Sequence, residues 1–448
     1  MPNLNATHDP TLRSWVDSAN DGTTDFPIQN LPLGRFRRRG GTPQGGVAIG
    51  DRIVDLRAAL ALGLFDRASP QAREAARAAC GDDLLPLLRL GNEAAGALRA
   101  HLCALLAANG AARAHAERLL VPQAEVEMLL PTTVRQFTDM CASTFHIGRQ
   151  RGNDERGEPI CPPVFRTLPV GYDGRASSVV CSGTPVRRPL GSWQEQLKSG
   201  ALRFGPEPRQ DYELELGAWI GGPGNRLGEP MGMNQAADAL FGFSLVNDWS
   251  ARGIQFWEAM LGPFLGKSLA TTAAPWIVTA EALAPFRIPA FARPQGDPEV
   301  PTHLHSAEDQ RQGGFDITLE SHLATADMRA QREPDLRLCS SNFCHMYWTF
   351  AQMVAHHASN GCALAAGDLI ASGTCSGPAL DEAACLAELH FAPSPTQPGG
   401  AAPRWLQDGD RVTLRGRAQR EGYVAIGFGE ASGELLPAPS WPDSDTPR

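Results

Sequence analysis

Apolar and polar positions are spaced in two different ways along the chain. From about residue 25, short apolar segments broken by Gly and Pro, such as DFPIQNLPLGRF and GGVAIGDRIVDL, predict short strands. From about Asp66 to Glu127, apolar residues recur at helical spacing between glycines at C-cap positions, which predicts amphipathic helices. The segment MLLPTTVRQFTDM then begins a second, larger region of short strands and Gly-Pro turns.

The second region also contains two segments whose spacing predicts helices. They are MNQAADALFGFSLVNDWSARGIQFWEA and SNFCHMYWTFAQMVAHHASNG. Strands are predicted in DYELELGAWI, GGFDITLESHLA, LIASGTCSG, LAELHF, DRVTLRGRAQ and YVAIGFGE. Between the two helical segments, the Pro-rich ALAPFRIPAFARPQGDPEVPTHLHSAEDQ predicts a long surface excursion.

The length of the chain, 448 residues, is sufficient for two or three domains. The polar residues 1–24 predict a disordered lead-in. Residues 25–130 are expected to form an N-terminal domain that includes the helices, and residues 131–448 a larger C-terminal domain. The elements together predict an α+β fold made mainly of strands.

The charge of the chain excludes one class of partner. The net charge is -9, and the basic residues are scattered except for the run from Arg35 to Arg39, unlike a nucleic-acid-binding surface. The N-terminus has no apolar signal core and no stretch is apolar enough to cross a bilayer, so a cytoplasmic protein without membrane contact is expected. The 10 cysteines include no C-x-x-C pair and are expected to be buried thiols rather than disulfides.

Two glutamates in DYELELGAWI are the first candidates for chemistry. Side chains two residues apart on a strand share a face, so Glu213 and Glu215 are expected within about 7 Å of each other. If that face is buried, a proton or a cation has to relieve their repulsion. The alternative is that Tyr212, Leu214 and Leu216 pack inward while both glutamates face water.

Two aspartates extend this pair to a candidate metal site. Asp139 in VRQFTDMCASTFH and Asp248 in FGFSLVNDWSARGIQFWE complete an all-oxygen set suited to Ca²⁺ or Mg²⁺. The alternative for Asp248 is a helix cap. A competing hypothesis is a zinc site drawn from four histidines, namely His303 and His305 on one strand face with His356 and His357.

His146 is a candidate general base, although a lone histidine is more often an ordinary core or surface side chain. Glu388, in the apolar segment CLAELHF, needs a partner if it is buried. A carboxylate that accepts a hydrogen bond from one imidazole nitrogen leaves the other nitrogen free to take a proton from water. Lys267 is a further candidate, because the only other lysine among 40 basic residues is Lys198 and because LGPFLGKSLATT is an apolar setting for a charge.

An ordered series of segments resembles one known family. The segments are DFPIQNLPLG, TDMCASTFH, LPVGYDGRASSVVCSGTPVRRP, ELELGAWIGGPGNRLGEP, NDWSARGIQFWE, LGPFLGKSLATTAAPW, SNFCHMYWT, NGCALAAGDLIASGTCSGP and LAEL. Each is modest alone, but the ordered set, from about Asp25 to the last strands, is specific. The chain therefore resembles the fumarylacetoacetase family.

The resemblance implies a fold, a reaction and an assembly. The fold is an N-terminal SH3-like barrel followed by a C-terminal mixed β-sandwich roll that carries the site, in a cytoplasmic homodimer. The reaction is the metal-dependent hydrolysis of a carbon-carbon bond in 4-fumarylacetoacetate to fumarate and acetoacetate, the last step of tyrosine and phenylalanine catabolism. Two other hypotheses are a family hydrolase or decarboxylase acting on another 2-oxo or 1,3-diketo acid, such as an acylpyruvate, and a non-catalytic binding paralogue with a structural cation.

The resemblance also implies roles for individual residues. His146 matches the general base and Glu388 its orienting carboxylate. The groups around the developing negative charge match Arg252, Gln255 and Lys267. The Ca²⁺ ligands match Asp139, Glu213, Glu215 and Asp248, and a second, Mg²⁺-type site matches Asp248, Lys267 and Thr271. The substrate contacts match Tyr172, Gln255, Thr374 and, at one changed position, Cys141. An ammonium is not a metal ligand at neutral pH, which argues against Lys267 in the second site.

The chain departs from the family pattern where substrate is expected to bind. Cys141 stands in place of a tyrosine, and a second tyrosine expected shortly after NDWSAR is absent from the segment WEAMLGP, which has Ala259 and Met260 there and is one residue shorter. Losing two phenol donors should cost roughly 1 to 3 kcal/mol each if nothing replaces them. Ala270 stands in place of a glycine, and the expected arginine falls on Glu155, with Arg151 and Arg156 nearby.

Overall fold

The computed structural model describes residues 4–149, 151–196, 199–391 and 404–442. Within these ranges the fold is mixed α+β and mainly sheet, in agreement with the strand-rich pattern of the sequence. None of the helices in these ranges has the length and apolar character needed to cross a membrane. Lys198 lies outside the described residues.

The N-terminal part combines a small sheet with a group of helices. Its strands are β1 (Leu33–Arg38), β2 (Gln44–Ile49), β3 (Arg52–Asp55), β4 (Leu120–Pro122) and β5 (Val126–Leu129). Its α-helices are α1 (Leu56–Ala61), α2 (Pro70–Ala79), α3 (Leu85–Leu90), α4 (Asn92–Leu106) and α5 (Ala116–Leu119). The start of α2 follows the capping rules, since the side chain of Ser69 accepts a hydrogen bond from the Ala72 N–H and proline occupies the first helical turn.

The remaining described residues hold most of the strands. These are β6 (Phe137–Met140), β7 (Gly171–Gly174), β8 (Val179–Cys181), β9 (Val186–Arg187), β10 (Leu190–Gln196), β11 (Ser199–Pro206), β12 (Gln210–Asp211), β13 (Leu214–Ile220), β14 (Leu240–Asp248), β15 (Ser250–Ala251), β16 (Thr271–Ala273), β17 (Trp276–Thr279), β18 (Arg287–Ile288), β19 (Gly314–Phe315), β20 (Ile317–Ala324), β21 (Leu336–Asn342), β22 (Leu369–Ala371), β23 (Arg411–Ala418) and β24 (Ile426–Leu436). The α-helices are α6 (Thr144–Arg149), α7 (Val164–Thr167), α8 (Met233–Ala239), α9 (Arg252–Glu258), α10 (Ala307–Gln312), α11 (Ala326–Gln331), α12 (Phe350–His357) and α13 (Leu386–Phe391).

The largest sheet runs through both parts of the chain, in the order β4-β3-β2-β1-β17-β14-β13-β22-β6-β7. Strand β1 pairs antiparallel with β17, with Gly34 opposite Trp276. A Cβ atom on Gly34 would lie 2.4 Å from the Trp276 ring, so glycine is required for this close approach. The N-terminal sheet therefore continues into the sheet that contains β13 and β14.

A second sheet, in the order β21-β20-β23-β24-β9, packs against the first. Leu245 of β14 and Phe428 of β24 are both fully buried, and a Cβ atom on Gly416 in β23 would lie 3.0 Å from the first side chain and 3.1 Å from the second. Their side chains belong to one continuous apolar cluster, which burial removes from water. The polar groups at the ends of β6, β13 and β14 are thereby supported by a rigid core.

Strands β1 to β5 do not close into a ring in the described part of the chain. Strand β4 pairs with β3, and β5 pairs with β1, but β4 and β5 do not pair with each other. The pairing of these strands therefore does not show the closed N-terminal SH3-like barrel that the resemblance implies.

The start of the chain differs from the disordered lead-in that its polar composition predicts. Over residues 4–24, Thr7 and His8 are buried, and the Nε2 atom of His8 lies 2.8 Å from the carbonyl oxygen of Glu281. The Ser14 hydroxyl donates to the Leu106 carbonyl at 2.7 Å. These partners are distant in the sequence, which is why composition alone does not reveal the order.

Two of the segment predictions are wrong. The long helix predicted over MNQAADALFGFSLVNDWSARGIQFWEA is split into α8, the fully buried strand β14, β15 and α9. The segment LAELHF is helix α13 and not a strand, so Glu388 lies on a helix. Both errors have the same cause, because a continuous apolar run fits a buried strand and a buried helix equally well.

The Pro-rich excursion is also less exposed than expected. It contains β18 and α10, and it buries Leu304 and Asp309. His303 lies in a short 3-10 turn rather than on a strand.

Candidate active site

Four buried carboxylates meet where β6, β13 and β14 approach one another. Asp139 belongs to β6, Glu215 to β13 and Asp248 to the end of β14, while Glu213 immediately precedes β13. One oxygen of each carboxylate lies within 4.8 Å of an oxygen of each of the other three. The structure therefore brings the four predicted metal ligands together.

Strand register explains this convergence. In the antiparallel pair of β13 and β14, Leu214 lies opposite Asn247, which puts Glu213 beside Asp248. Strand β22 separates β13 from β6, and its Ala371 is in register with Asp139. Because alternate residues of a strand share a face, Glu215 points to the same side as Glu213.

Two side-chain cations contact one side of this cluster. The Nζ atom of Lys267 lies 2.6 Å from Oδ2 of Asp248 and also donates to Glu213. The Nη2 atom of Arg252 lies 2.8 Å from Oε1 of Glu213. Four carboxylates thus face two cations, so at least two negative charges are uncompensated if all four carboxylates ionise.

Hydroxyl groups complete the surroundings of Asp248. The Tyr172 hydroxyl donates to Oδ2 of Asp248 at 2.6 Å, and the Thr271 hydroxyl donates to Oδ1 at 3.1 Å. Burial, and then the nearby Asp248 charge, hold the pKa of Tyr172 well above its ordinary value. Tyr172 therefore remains a hydrogen-bond donor.

The other side of the cluster has oxygens without partners. Among the described residues, Oδ1 of Asp139 and both carboxylate oxygens of Glu215 are buried and accept no hydrogen bond. Burial raises the pKa of both carboxyl groups well above the ordinary range, and the neighbouring carboxylates raise it further. A divalent cation fits this position, since carboxylate oxygens are the ligands that Ca²⁺ and Mg²⁺ prefer and since the uncompensated charge has the matching sign.

The remaining ionisable groups of the cluster behave differently. Burial opposes ionisation of Glu213, but Lys267 and then Arg252 lower its pKa below the ordinary value. Burial likewise disfavours a charged Lys267, yet Asp248 and Glu213 raise its pKa above the ordinary value. Lys267 is therefore an ammonium, which pairs with the carboxylates and has no lone pair to offer a metal.

His146 and Glu388 form an oriented pair beside the cluster. The Nδ1 atom of His146, on α6, lies 2.8 Å from Oε1 of Glu388, on α13. Glu388 is fully buried, and although burial opposes its ionisation, His146 and then Arg149 lower its pKa to about 2. Since the ionised carboxylate can only accept, the proton lies on Nδ1 and Nε2 is left as the free acceptor.

A buried aspartate connects this pair to the cluster. Asp211 accepts a hydrogen bond from Nε of Arg252 at 2.8 Å, and also from the N–H groups of Leu386 at 2.8 Å and Ala387 at 3.0 Å. It therefore joins the arginine that contacts Glu213 to the helix that carries Glu388.

Helix α9 is held in a similar way. The buried Glu207 accepts from the N–H groups of Gly253 at 3.0 Å and Ile254 at 2.8 Å, which satisfies the free donors of the first turn. Gln255, one turn along, accepts from Nη1 of Arg252 at 3.1 Å and is only partly buried. Arg252 and Gln255 thus project together from an anchored helix.

The predicted substrate contacts lie around the same centre. Cys141 is half-buried directly after β6, and burial raises the pKa of its thiol, as do Asp139 and Glu213, so it is a neutral group rather than a thiolate nucleophile. Thr374 is buried in the loop after β22. An open groove of about 570 Å³, whose lining includes Tyr172 and Lys267, leads to this region from the surface.

Other sequence-derived candidates lie elsewhere. The structure does not bring together His303, His305, His356 and His357 as the zinc hypothesis expects, since they form no metal-ligand group in the described residues. His357 instead contacts the Thr138 hydroxyl at 2.8 Å. The guanidinium of Arg151 donates to the Ile147 carbonyl at 3.0 Å.

The other positions that depart from the family pattern make no hydrogen bond or ion pair with the four carboxylates in the part of the chain that the structure describes. Arg156 pairs with Asp154 at 2.9 Å. Glu155 and Ala259 are both exposed. Ala270 is buried next to β16.

Four supporting residues were not identified from the sequence, namely Arg149, Glu207, Asp211 and Ser376. Two of them carried a usable signal. Arg149 follows His146 by three residues, the spacing of one helix face, and Asp211 precedes Glu213 by two residues, the spacing of one strand face. No such spacing was available for Glu207 and Ser376, because both lie in loops, where side-chain positions do not follow a regular period.

An oriented imidazole beside four clustered carboxylates that could hold a cation, on a mainly β fold, defines this protein as an enzyme with a small-molecule site. Comparison with known proteins specifies the family. The description "Fumarylacetoacetase N-terminal" matches residues 29–131, and "Fumarylacetoacetate (FAA) hydrolase C-terminal" matches residues 141–433. The chain belongs to the fumarylacetoacetate hydrolase family.

Individual relatives agree with this assignment. Fumarylacetoacetase of Oryza sativa subsp. japonica is 43% identical over 443 residues, which cover 95% of this chain and 98% of that protein. Fumarylacetoacetase of Homo sapiens is 40% identical over 433 residues, covering 95% and 99%. Among solved structures, fumarylacetoacetate hydrolase from the psychrophilic Exiguobacterium antarcticum shares the fold, with a TM-score of 0.50 and 19% identity over 91% of this chain and 99% of that chain.

Proposed function

We propose that this protein hydrolyses a carbon-carbon bond of 4-fumarylacetoacetate to give fumarate and acetoacetate, the last step of tyrosine and phenylalanine catabolism. One observation carries the proposal: the His146 imidazole, held by a buried ionised carboxylate, lies beside four clustered carboxylates. Its support is the near full-length similarity to fumarylacetoacetases at about 40% identity.

His146 acts as the general base in this proposal. Its free Nε2 takes a proton from water, and the water oxygen adds to a ketone carbon of the substrate. Glu388 stabilises the imidazolium that forms, since it is buried and ionised next to Nδ1. When the carbon-carbon bond breaks, its electron pair passes to the departing enolate, which the imidazolium can protonate at carbon.

Lys267, Arg252 and Gln255 stabilise the negative charge that develops on the substrate. The ammonium and the guanidinium are buried, where their interaction with a developing anion is stronger than in water. They are held in place by Glu213, Asp248 and Asp211, so little reorganisation is needed during the reaction. Tyr172, Thr374, Gln255 and Cys141 complete the proposed substrate contacts.

Asp139, Glu213, Glu215 and Asp248 would hold the divalent cation, Ca²⁺ or Mg²⁺. When bound, such a cation neutralises the cluster and polarises the diketone oxygens of a substrate. We assign no ligand role to Lys267, because it is an ammonium, and we assign Thr271 to the support of Asp248. A second metal site on Asp248, Lys267 and Thr271 is therefore not favoured.

We further propose the family's architecture and assembly for this chain. Residues 25–130 would form the N-terminal barrel-like domain and residues 131–448 the catalytic β-sandwich roll, in a cytoplasmic homodimer. The two family matches support the division, since one ends at residue 131 and the other begins at residue 141.

A second candidate function is hydrolysis or decarboxylation of another 2-oxo or 1,3-diketo acid, such as an acylpyruvate. It is favoured by Cys141, which stands where the family pattern has a tyrosine, and by the exposed Ala259, which lies in a shortened segment from which a second expected tyrosine is absent. A smaller substrate would not need the two phenol donors.

The test follows the loss of absorbance of enzymatically generated fumarylacetoacetate, with and without EDTA, for the wild type and for His146→Ala. We expect rapid, metal-dependent loss and a decrease of at least about 100-fold in the variant, as for removal of a general base. If the folded, metal-loaded wild type cleaves acylpyruvates with a far better kcat/KM, the second candidate is correct. Equal activity of the wild type and His146→Ala would favour a non-catalytic binding protein.

A further inference from the structure

A single helix holds both oxygens of the Glu388 carboxylate. His146 and Arg149 lie three residues apart in α6 and therefore project from one face. The Nδ1 atom of His146 lies 2.8 Å from Oε1, and the Nε atom of Arg149 lies 2.7 Å from Oε2. These contacts at opposite oxygens fix the plane of the carboxylate relative to the imidazole.

Arg149 also anchors the loop that contributes a third partner of Glu388. Its Nη2 atom donates to the backbone carbonyls of Gly377 and Ala379, the latter at 2.9 Å. The neighbouring Ser376 donates its hydroxyl to Oε1 of Glu388. One guanidinium therefore connects α6, α13 and the loop between β22 and α13.

The position of Glu388 makes this connection necessary. The side chain of Glu388 has no exposed surface, and that of Arg149 is 11% exposed. A buried carboxylate requires charged and hydrogen-bonded partners to remain ionised. In the described residues, the hydrogen bonds of the Arg149 guanidinium go to Glu388, Gly377 and Ala379, and none goes to the four carboxylates of the cluster.

We propose that Arg149 is a positioning residue of the hydrolase: it fixes Glu388 so that the His146 imidazole presents Nε2 to the attacking water. This inference rests on the proposed function. Because the described hydrogen bonds of the Arg149 guanidinium all go to protein groups and it acts through Glu388, its loss lowers kcat and leaves KM unchanged.

The experiment compares kcat and KM for fumarylacetoacetate in the wild type, Arg149→Ala and Arg37→Ala. Arg37 is a matched control, since its Nη2 atom lies 2.7 Å from Oε2 of Glu127 but on an exposed surface. We expect kcat of Arg149→Ala to fall on the order of 10- to 100-fold, as when a group that orients a functional histidine is removed. Arg37→Ala keeps the wild-type kcat.

Chemical rescue separates positioning from a purely structural role. Guanidinium chloride, added far below the concentration that unfolds the protein, should restore part of the kcat of Arg149→Ala and should not raise that of Arg37→Ala. If Arg149→Ala does not fold, Arg149→Gln is measured instead, because an amide fills the site without the charge, and the same loss of kcat is expected.

Three results overturn the inference: wild-type kcat in the Arg149 variants, a change confined to KM, or a folded Arg149→Ala that guanidinium does not activate. These results differ from failure of the proposed function, in which the wild type itself leaves fumarylacetoacetate intact and the inference fails with it. An active wild type with unaffected Arg149 variants overturns the inference alone.

Discussion

Replacing Glu215 with glutamine should make the metal-free protein at least as stable as the wild type and should remove most of its stabilisation by Ca²⁺. Both oxygens of Glu215 are buried without a hydrogen-bond partner among the described residues, so the carboxylate contributes repulsion in the absence of a cation. Glutamine has the same shape without the charge. The substitution therefore distinguishes two effects of the Glu215 charge, namely the destabilisation of the metal-free protein and the binding of a cation.

The magnitude follows from the separation of the oxygens. The oxygens lie within 4.8 Å of one another, and two unit charges at that limit repel by about 3 kcal/mol at an effective dielectric constant of about 20. The raised pKa of Glu215 lets a proton relieve much of this repulsion, so the metal-free variant gains only part of it. Conversely, a cation at about 100 times its Kd stabilises a folded protein by about 2.7 kcal/mol. The metal-free variant should therefore be at least as stable as the metal-free wild type, whereas the wild type should be the more stable protein when Ca²⁺ is added.

The assay is thermal unfolding of the EDTA-treated wild type, Glu215→Gln and the surface control Glu127→Gln, each with increasing Ca²⁺ or Mg²⁺. Wild type and control should gain Tm together, whereas Glu215→Gln should gain little. An equal rise in Glu215→Gln, or a metal-free variant clearly less stable than the metal-free wild type, would refute the reasoning. A wild type whose Tm responds to neither ion would show that the cluster is not a cation site.

Three further outcomes are expected. The pKa of Glu388 is lowered from 4.5 to about 2 in the folded protein, so its contribution to stability is present above pH 4.5 and is lost as the pH falls towards 2. The free energy of unfolding in urea should accordingly depend less on pH in that interval for Glu388→Gln than for the wild type. Identical pH profiles of the two proteins would contradict the interaction of an ionised Glu388 with His146 and Arg149. Asp211→Asn should lower kcat about 10-fold or more, because Arg252 and α13 lose a shared charged acceptor; steady-state kinetics with a circular dichroism melt tests this, and unchanged kcat would count against the link. Cys141→Tyr should lower KM for fumarylacetoacetate by an amount corresponding to roughly 1 to 3 kcal/mol, and an unchanged KM would mean that this position does not face the substrate.

Part of the acidic cluster could be predicted from the sequence, because side chains along a strand alternate between two faces with a period of two residues. The spacing of Glu213 and Glu215 put them on one face, and the structure has them on one face. A strand is predicted at β22, but its place between them and Asp139 could not be predicted, since the pairing of β22 with β6 joins segments more than 200 residues apart, for example Ala371 and Asp139.

The spacing of apolar residues did not predict the correct secondary structure where a segment is completely buried or very short. Strand β14 is buried at every position, so its apolar run has no alternation and was interpreted as part of a helix. Helix α13 spans only six residues, too few for a helical period to appear. The Arg149 contact was missed for a different reason: the residue that it holds, Glu388, comes from a separate part of the chain.

The pairing of β1 with β17 determines when the protein can fold during synthesis. Gly34 leaves the ribosome long before Trp276, its partner in the sheet. The partner of Asn30 is translated even later, since the Asn30 side chain donates a hydrogen bond to the carbonyl of Gly427 in β24 at 2.8 Å. Non-local pairing of this kind slows folding and leaves a strand edge exposed in the meantime. The first strands to be translated are thus completed by strands translated much later, and the growing chain presents unpaired backbone groups until β17 and β24 have emerged.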